Sequence, residues 1–328
     1  MHSLPFKLLF FFLLQVSLTY GQVADSSIYY MYPKRPSRLA SLVEFVAKNF
    51  LPTNKIQKHV ENPNYVSLPA KIPLAVRKQC QIDTVIIFGR KVFKLSPKTS
   101  KSIKTVLFLH GGGYVNNIFK QHWIFASNLV QSTNCTVIIP DYPLAPKSSY
   151  SDAFQMLDLL YQKLLSAVNP ENIIFIGDSA GGGLALAFSQ KLKTENFPQP
   201  SQLILIAPWL DVSLTNPAID SIQKFDPILK VKDLTSIHAT WVKDISIKHK
   251  HVSPIYGDLT GLPKISIFIG THDILLADCQ ALKEKLEKNK IALNYFEYPK
   301  MLHDWVMYIP LKESKFSINQ VVRLISSY

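Results

Sequence analysis

The pentapeptide Gly177-Asp178-Ser179-Ala180-Gly181 follows directly on the apolar run Ile173-Ile174-Phe175-Ile176. A short apolar run of this kind reads as a buried strand, and Gly182-Gly183-Leu184-Ala185-Leu186-Ala187 beyond it reads as the start of a helix. Joining the two requires a turn too tight for side chains at its flanks, and the glycines at 177 and 181 give it that room. Such a turn lifts the Ser179 hydroxyl above a sheet edge, where a carbonyl and a histidine can both reach it.

A second glycine-rich element lies upstream. The run Val106-Leu107-Phe108-Leu109 ends in His110-Gly111-Gly112-Gly113-Tyr114. Three consecutive glycines cost backbone entropy and add nothing to a packed core. They make sense where backbone N–H groups must approach a ligand. A serine attacking an ester builds negative charge on the carbonyl oxygen, and one preorganised donor aimed at that oxygen contributes about 3 kcal/mol. The Ala180 N–H is the donor expected from the elbow. The segment has neither the G-K-[ST] ending of a P-loop nor the G-x-G-x-x-G spacing of a dinucleotide site.

A serine nucleophile needs a base and a group that orients the base. In this fold class the order is serine, acid, histidine. The strand at 203–207 ends in Pro208-Trp209-Leu210-Asp211, and the strand at 265–270 runs into Thr271-His272-Asp273 and on to Asp278. The last strand, 293–298, ends in Met301-Leu302-His303-Asp304-Trp305. Asp273 is the expected acid, in the loop before a helix, with Asp211 and Asp278 as weaker alternatives. His303 is the expected base, the only histidine after Asp273. His110 is expected to order the glycine loop by hydrogen bonding. No metal or cofactor is expected, since the histidines form no H-x-x-x-H pair and the cysteines no C-x-x-C.

The segments His110–Tyr114, Asp141-Tyr142-Pro143-Leu144-Ala145-Pro146 and Gly177–Gly182 together resemble the hormone-sensitive-lipase group of α/β-hydrolases. That group includes arylacetamide deacetylases and fungal steryl acetyl hydrolases. With Asp273 and His303 the resemblance spans about residues 104 to 305. It implies that Gly112 and Gly113 join Ala180 in an oxyanion hole, and that Asp273-Ile274-Leu275 is the family's Asp-x-Leu acid segment. Three features differ: Pro143 stands where an arginine is usual, Lys147 where a glutamate is usual, and the glycine common before the acid is absent between Gly270 and Asp273. The closing Met-Leu-His-Asp-Trp is similar to a branch that hydrolyses small acyl esters. The implied activity is removal of a short acyl group from an apolar alcohol such as a sterol. The alternatives are a lipase for longer chains and an inactive hydrolase-fold protein that binds an apolar ligand.

The 328 residues suffice for one large domain over 22–328. Eight strands are expected, at 84–88, 91–95, 104–109, 136–140, 173–177, 203–207, 265–270 and 293–298, the first two as an antiparallel hairpin. Helical patterns alternate with the strands near 120–131, 151–167, 181–194, 232–244, 276–289 and 314–326, with another near Leu39–Phe50. The fold class is therefore α/β: a mostly parallel eight-stranded sheet flanked by helices, with a helical cap drawn from 25–80 and 212–262.

Leu8 to Tyr20 is thirteen mostly apolar residues, short of the roughly 20 that span a bilayer. Residues 1–21 read as a signal peptide cleaved after Gly21, the alternative being an uncleaved type II anchor. Both direct the enzyme domain into the secretory pathway, to the ER lumen or the outside. Three cysteines, Cys80, Cys135 and Cys279, are too few for a disulfide scaffold. Asn134-Cys135-Thr136 is the single glycosylation sequon. Lysine and arginine exceed acids by 36 to 23, a net charge of +13. The lysines are scattered and no nucleic-acid module is present, so the charge reads as solubility with weak attraction to an anionic membrane surface.

Overall fold

The computed structural model describes residues 27–50, 54–99 and 103–327. The expected signal peptide or anchor lies outside these residues. In chain order the elements are β1 (Ile28–Met31), α1 (Arg38–Phe50), α2 (Lys55–Glu61), α3 (Leu74–Gln79), β2 (Cys80–Ile87), β3 (Arg90–Pro97), β4 (Thr105–Leu109) and α4 (Lys120–Thr133). They continue with β5 (Thr136–Pro140), α5 (Tyr150–Leu165), β6 (Ile173–Asp178), α6 (Ala180–Thr194), β7 (Gln202–Ile206), α7 (Ile219–Gln223) and α8 (Val231–Thr235). The chain closes with β8 (Lys264–His272), α9 (Leu276–Lys288), β9 (Leu293–Leu302) and α10 (Lys312–Ser326).

The nine strands form one sheet in the order β1-β9-β8-β7-β6-β4-β5-β3-β2. It is parallel except where β3 pairs antiparallel with β2 and β5. Side chains alternate between two buried faces, as a sheet covered on both sides requires. Leu107, Phe175, Leu203, Leu205 and Ile267 pack into one core with α5, α6 and α9. Val106, Phe108, Ile174, Ile204 and Phe268 pack into the other with α4 and α10.

The chain leaves β4 for β5 on one side, then returns to place β6 on the other. This reversal of strand order opens a crevice at the carboxyl ends of the strands. Leu109 pairs with Gly177 across β4 and β6, so the glycine loop and the serine turn emerge side by side. Further along the same edge, His272 pairs with Leu302 beyond an irregularity after Gly270. That pair delivers Asp273 and His303 to neighbouring positions.

Two expectations need correction. The sheet has nine strands, not eight: Ile28–Met31 adds a parallel edge strand to β9. Four residues, mostly exposed, leave no alternation to detect. Tertiary contacts hold them instead, with Tyr30 stacked on Phe316 and Tyr32 on Tyr298. The helix expected over 232–244 is broken. Only Val231–Thr235 is α-helical, and a single 3-10 turn, Ser236–Ala239, follows. Hydroxyls compete with the helix ladder here: Thr235 Oγ1 donates to the Val231 carbonyl and Ser236 Oγ to that of Asp233.

Candidate active site

Ser179 has φ 51° and ψ −120°, a strained conformation for a residue with a side chain. Backbone bonds hold it there. Its N–H donates to the Ile206 carbonyl at 2.8 Å, and its own carbonyl accepts from Trp209 N–H at 2.8 Å. A Cβ on Gly181 would lie 2.0 Å from the Leu109 carbonyl oxygen, and one on Gly177 2.3 Å from the Gly181 oxygen. Glycine at both positions is therefore a steric requirement of this turn.

His303 stands between Ser179 and Asp273. Its Nε2 lies 2.9 Å from Ser179 Oγ, and its Nδ1 lies 2.8 Å from Asp273 Oδ2. Asp273 is fully buried, and its second oxygen accepts Leu275 N–H at 2.9 Å. Because Asp273 accepts, the histidine proton sits on Nδ1, leaving the Nε2 lone pair for the serine hydroxyl. Of the sequence alternatives, Asp211 is held by Tyr256 Oη, Ser253 Oγ and Ser213 N–H, and Asp278 by Asn216. Neither joins His303.

The glycine loop rests on a buried carboxylate. Gly111 N–H donates to Asp178 Oδ1 at 3.0 Å, and a Cβ on Gly111 would lie 2.4 Å from Asp178 Oδ2. His122 Nδ1 accepts Phe119 N–H, so its proton is on Nε2 and is donated to Asp178 Oδ2 at 3.1 Å. Burial works against the Asp178 carboxylate, but His122, His110 and the Gly111 amide outweigh it and hold its pKa below the usual range. His110 Nδ1–H donates to the Gly111 carbonyl at 2.7 Å, and its ring stacks on Tyr142. Burial and the neighbouring His122 push the His110 pKa down to about 3, so it is neutral. The next two glycines have φ of 117° and 64°. Gly112 and Gly113 line the same cavity as Ser179 and His303. Ala180 opens α6, and the amide of a first helical residue has no partner within its helix. Beside this loop, Arg90 of the β2–β3 hairpin binds both the carbonyl and the carboxylate of Asp141. A guanidinium thus reaches the segment whose family arginine is replaced by Pro143.

The cavity has a volume of about 410 Å³. Ile56 of α2, Ile228, Leu229 and Leu234 of the insertion, and Met307 and Tyr308 after β9 make most of its apolar wall. Ile56 comes close to Gly113, with its Cδ1 2.4 Å from where a Cβ would be.

Four carboxylates in or near the site were not singled out by sequence reasoning, Asp233 and Asp304 among them on the cavity wall. Asp233 accepts Gln57 N–H at 2.8 Å, tying the first turn of α2 to α8. Asp226 accepts the N–H groups of Ile228, Leu229 and Ile274, each at 2.8 Å, and so bonds the insertion to the residue after Asp273. Burial, then the charge of Asp273, raises the Asp226 pKa to about 6. Asp304 places Oδ2 3.1 Å from His303 Nε2, while its buried Oδ1 has no hydrogen-bond partner among the described residues. Burial raises its pKa to about 6, with His303 opposing. For His303 itself burial favours the neutral ring, but Asp304 and Asp273 outweigh it and hold the imidazole well above the ordinary range. Glu44, on α1, pairs with His272 next to the acid. Asp304 adjoins His303, but Asp233 and Gln57, Asp226 and Ile274, and Glu44 and His272 are distant in sequence, so no local motif announces those pairs.

The sequon residue Asn134 is exposed and closes α4 in the left-handed conformation, φ 53°. The three cysteines are buried and unpaired.

Residues 106–307 match the family described as the α/β hydrolase fold. The chain belongs to that family. This hydrolase is 34% identical over 230 residues to an esterase of Acinetobacter venetianus, covering 70% of the chain and 76% of the relative. It is 30% identical over 209 residues to an acetyl-hydrolase of Streptomyces hygroscopicus, covering 63% and 70%. A solved esterase from the bacterial hormone-sensitive lipase family shares the fold, with a TM-score of 0.75 over 90% of this chain and 99% of that one, at 23% identity. Its relatives named here are an esterase and an acetyl-hydrolase, which supports carboxylic-ester hydrolysis.

Proposed function

We propose that this hydrolase is a serine carboxylesterase that removes short acyl groups, acetyl among them, from an apolar alcohol, with sterols as one candidate class. The observation that carries the reading is the position of His303, in hydrogen-bond reach of both Ser179 Oγ and Asp273. In this reading His303 takes the serine proton as Oγ attacks the ester carbonyl. The oxyanion forms against the N–H groups of Gly112, Gly113 and Ala180. The tetrahedral intermediate collapses, His303 returns the proton to the departing alcohol, and an acyl-Ser179 ester remains. Water, activated by the same histidine, then releases the acid and restores the serine. Asp273 fixes the ring tautomer throughout.

The apolar wall and the 410 Å³ cavity suit a small acyl group together with part of a bulky alcohol. In the same reading the cap is formed by the part of 25–80 around α2, with β1 belonging to the sheet instead, and by 212–262, with Asp233 and Asp226 as its fastenings. Replacing Ser179 with alanine should remove ester turnover by about 10⁴-fold or more while preserving the fold. A fluorophosphonate adduct on Ser179 separates an enzyme from an inactive binder: absence of the adduct rejects the esterase. Turnover of p-nitrophenyl esters should peak at the shortest acyl chains, and a maximum at long chains would make the protein a lipase.

For location we propose the secretory pathway, with residues 1–21 removed. N-terminal sequencing should begin near Gln22, and an intact Met1 would identify an anchor. A glycan on Asn134 would report luminal entry.

A further inference from the structure

Helix α1 is amphipathic in the inverted sense. Its buried positions are the small residues Ala40 and Ala47, whereas Leu39, Leu42, Phe45, Val46 and Phe50 are 43, 55, 60, 44 and 73% exposed. At 3.6 residues per turn these five fall on one continuous face. A helix that merely completes a core turns such residues inward, and a contiguous exposed apolar face marks an interaction surface.

The charges around it select the partner. From residue 28 to 58 there are six basic side chains, Lys34, Arg35, Arg38, Lys48, Lys55 and Lys58, all exposed, and one acid, Glu44. Glu44 is already engaged by His272. Beside α1 a cleft of about 960 Å³ is lined by Lys34, Arg35 and Lys300, among others. A second copy of the chain would bring the same cations against each other, whereas an anionic surface would neutralise them. The patch also adjoins the active-site mouth. His272, held by α1, precedes Asp273 and stacks on the exposed ring of Phe225. Lys55 and Ile56, a few residues past α1, line the catalytic cavity.

We propose that this face is a docking surface for an anionic lipid bilayer. The apolar residues of α1 enter the acyl region, the surrounding lysines and arginines meet the headgroup phosphates, and the basic cleft receives one headgroup. Apolar area and positive charge then act together, the combination by which interfacial helices bind anionic membranes. Docked in this way, the cavity mouth lies beside the lipid phase in which an apolar ester is dissolved.

The test is made on the full chain. Because the three native cysteines are buried, a Phe45→Cys variant can be labelled selectively with an environment-sensitive fluorophore such as NBD. Ser166→Cys, exposed just beyond α5, is the control site. Vesicles of phosphatidylcholine with phosphatidylserine should shift emission to the blue and brighten it several-fold at position 45, with little change at 166. Pure phosphatidylcholine, or high salt, should weaken the response. Phe45→Glu combined with Phe50→Glu should lower vesicle binding several-fold and leave p-nitrophenyl acetate hydrolysis unchanged. The proposal is overturned by an unchanged signal at position 45, or by equal responses to neutral and anionic vesicles. It is also overturned if the change follows protein concentration without lipid, which would make the surface a contact between copies. None of the fluorescence readouts requires ester turnover, so this proposal and the esterase reading stand or fall separately.

Discussion

The loops after β7 and β8 sit side by side at the same sheet edge, and each carries a buried aspartate, 3% exposed at Asp211 and fully buried at Asp273. Their surroundings differ. Asp211 receives two hydroxyls and a backbone N–H, and these neutral donors bind the insertion to the strand end. Asp273 receives one backbone N–H and the imidazole of His303, so of the two it alone faces the group proposed to change charge during catalysis. Burial and strand position do not separate the two roles. The opposing donor does.

The strongest test of this contrast is a pair of isosteric substitutions. Asp273→Asn should lower kcat by orders of magnitude, because an amide cannot hold the histidine tautomer as the carboxylate does; about 10⁴ is known for the equivalent change in a serine protease. Asp211→Asn should keep most of the turnover and show its effect as a lower melting temperature. Equal kinetic losses in the two variants would break the comparison.

A second test asks whether the insertion supports the acid loop. Asp226→Ala leaves three N–H groups, one of them on Ile274, without their acceptor. A loss of about 2 kcal/mol of stability is expected in denaturant titration, with roughly a tenfold fall in kcat/KM as Asp273 loses its support. Unchanged kinetics would detach the insertion from the chemistry.

Asp304 sharpens the comparison through pH. The base must be neutral, and the negative charge of Asp304 beside Nε2 favours the protonated ring. Activity should therefore rise with pH through an apparent pKa above the ordinary histidine range. Asp304→Asn removes that charge, lowers the His303 pKa and moves the acid limb of the kcat/KM profile to lower pH. An unmoved limb would show that Asp304 does not act on the base. The smallest effect is expected for Asp278→Asn, whose carboxylate accepts from Asn216 and from no other side chain among the described residues, with turnover close to that of the parent protein.

The serine turn and the glycine loop were legible in the sequence because their geometry restricts residue type locally. Gly177, Gly181 and Gly111 sit where a Cβ would collide, and the central strands are short, nearly continuous apolar runs. The acid and base were legible as an ordered pair, with the choice among three aspartates resting on loop position. What closes over them was less legible. Asp233 caps α2 from 176 residues away and Asp226 reaches Ile274 across 48, pairings set by the fold and not by periodicity. The helix expected over 232–244 failed because Thr235 and Ser236 turn their hydroxyls onto nearby carbonyls. Strand β1 went unseen because it is short and owes its place to aromatic contacts with the other end of the chain.

That edge strand has a consequence for biosynthesis. β1 pairs with β9, and the Ser37 N–H and hydroxyl both donate to Glu313 of α10. Among the first described residues to leave the ribosome, this segment meets its partners only when the last strand and helix have been made. During elongation β1 has no sheet edge to join, and the strand that leads to His303 is still absent. The early strands can gather their local contacts, but completion of the site waits until β9 and α10 have been made. Such long-range closure is slow and leaves apolar surface open in the meantime. A nascent chain stalled before His303 would hold its serine turn without that histidine, and the edge of β8 that β9 covers would stay unpaired.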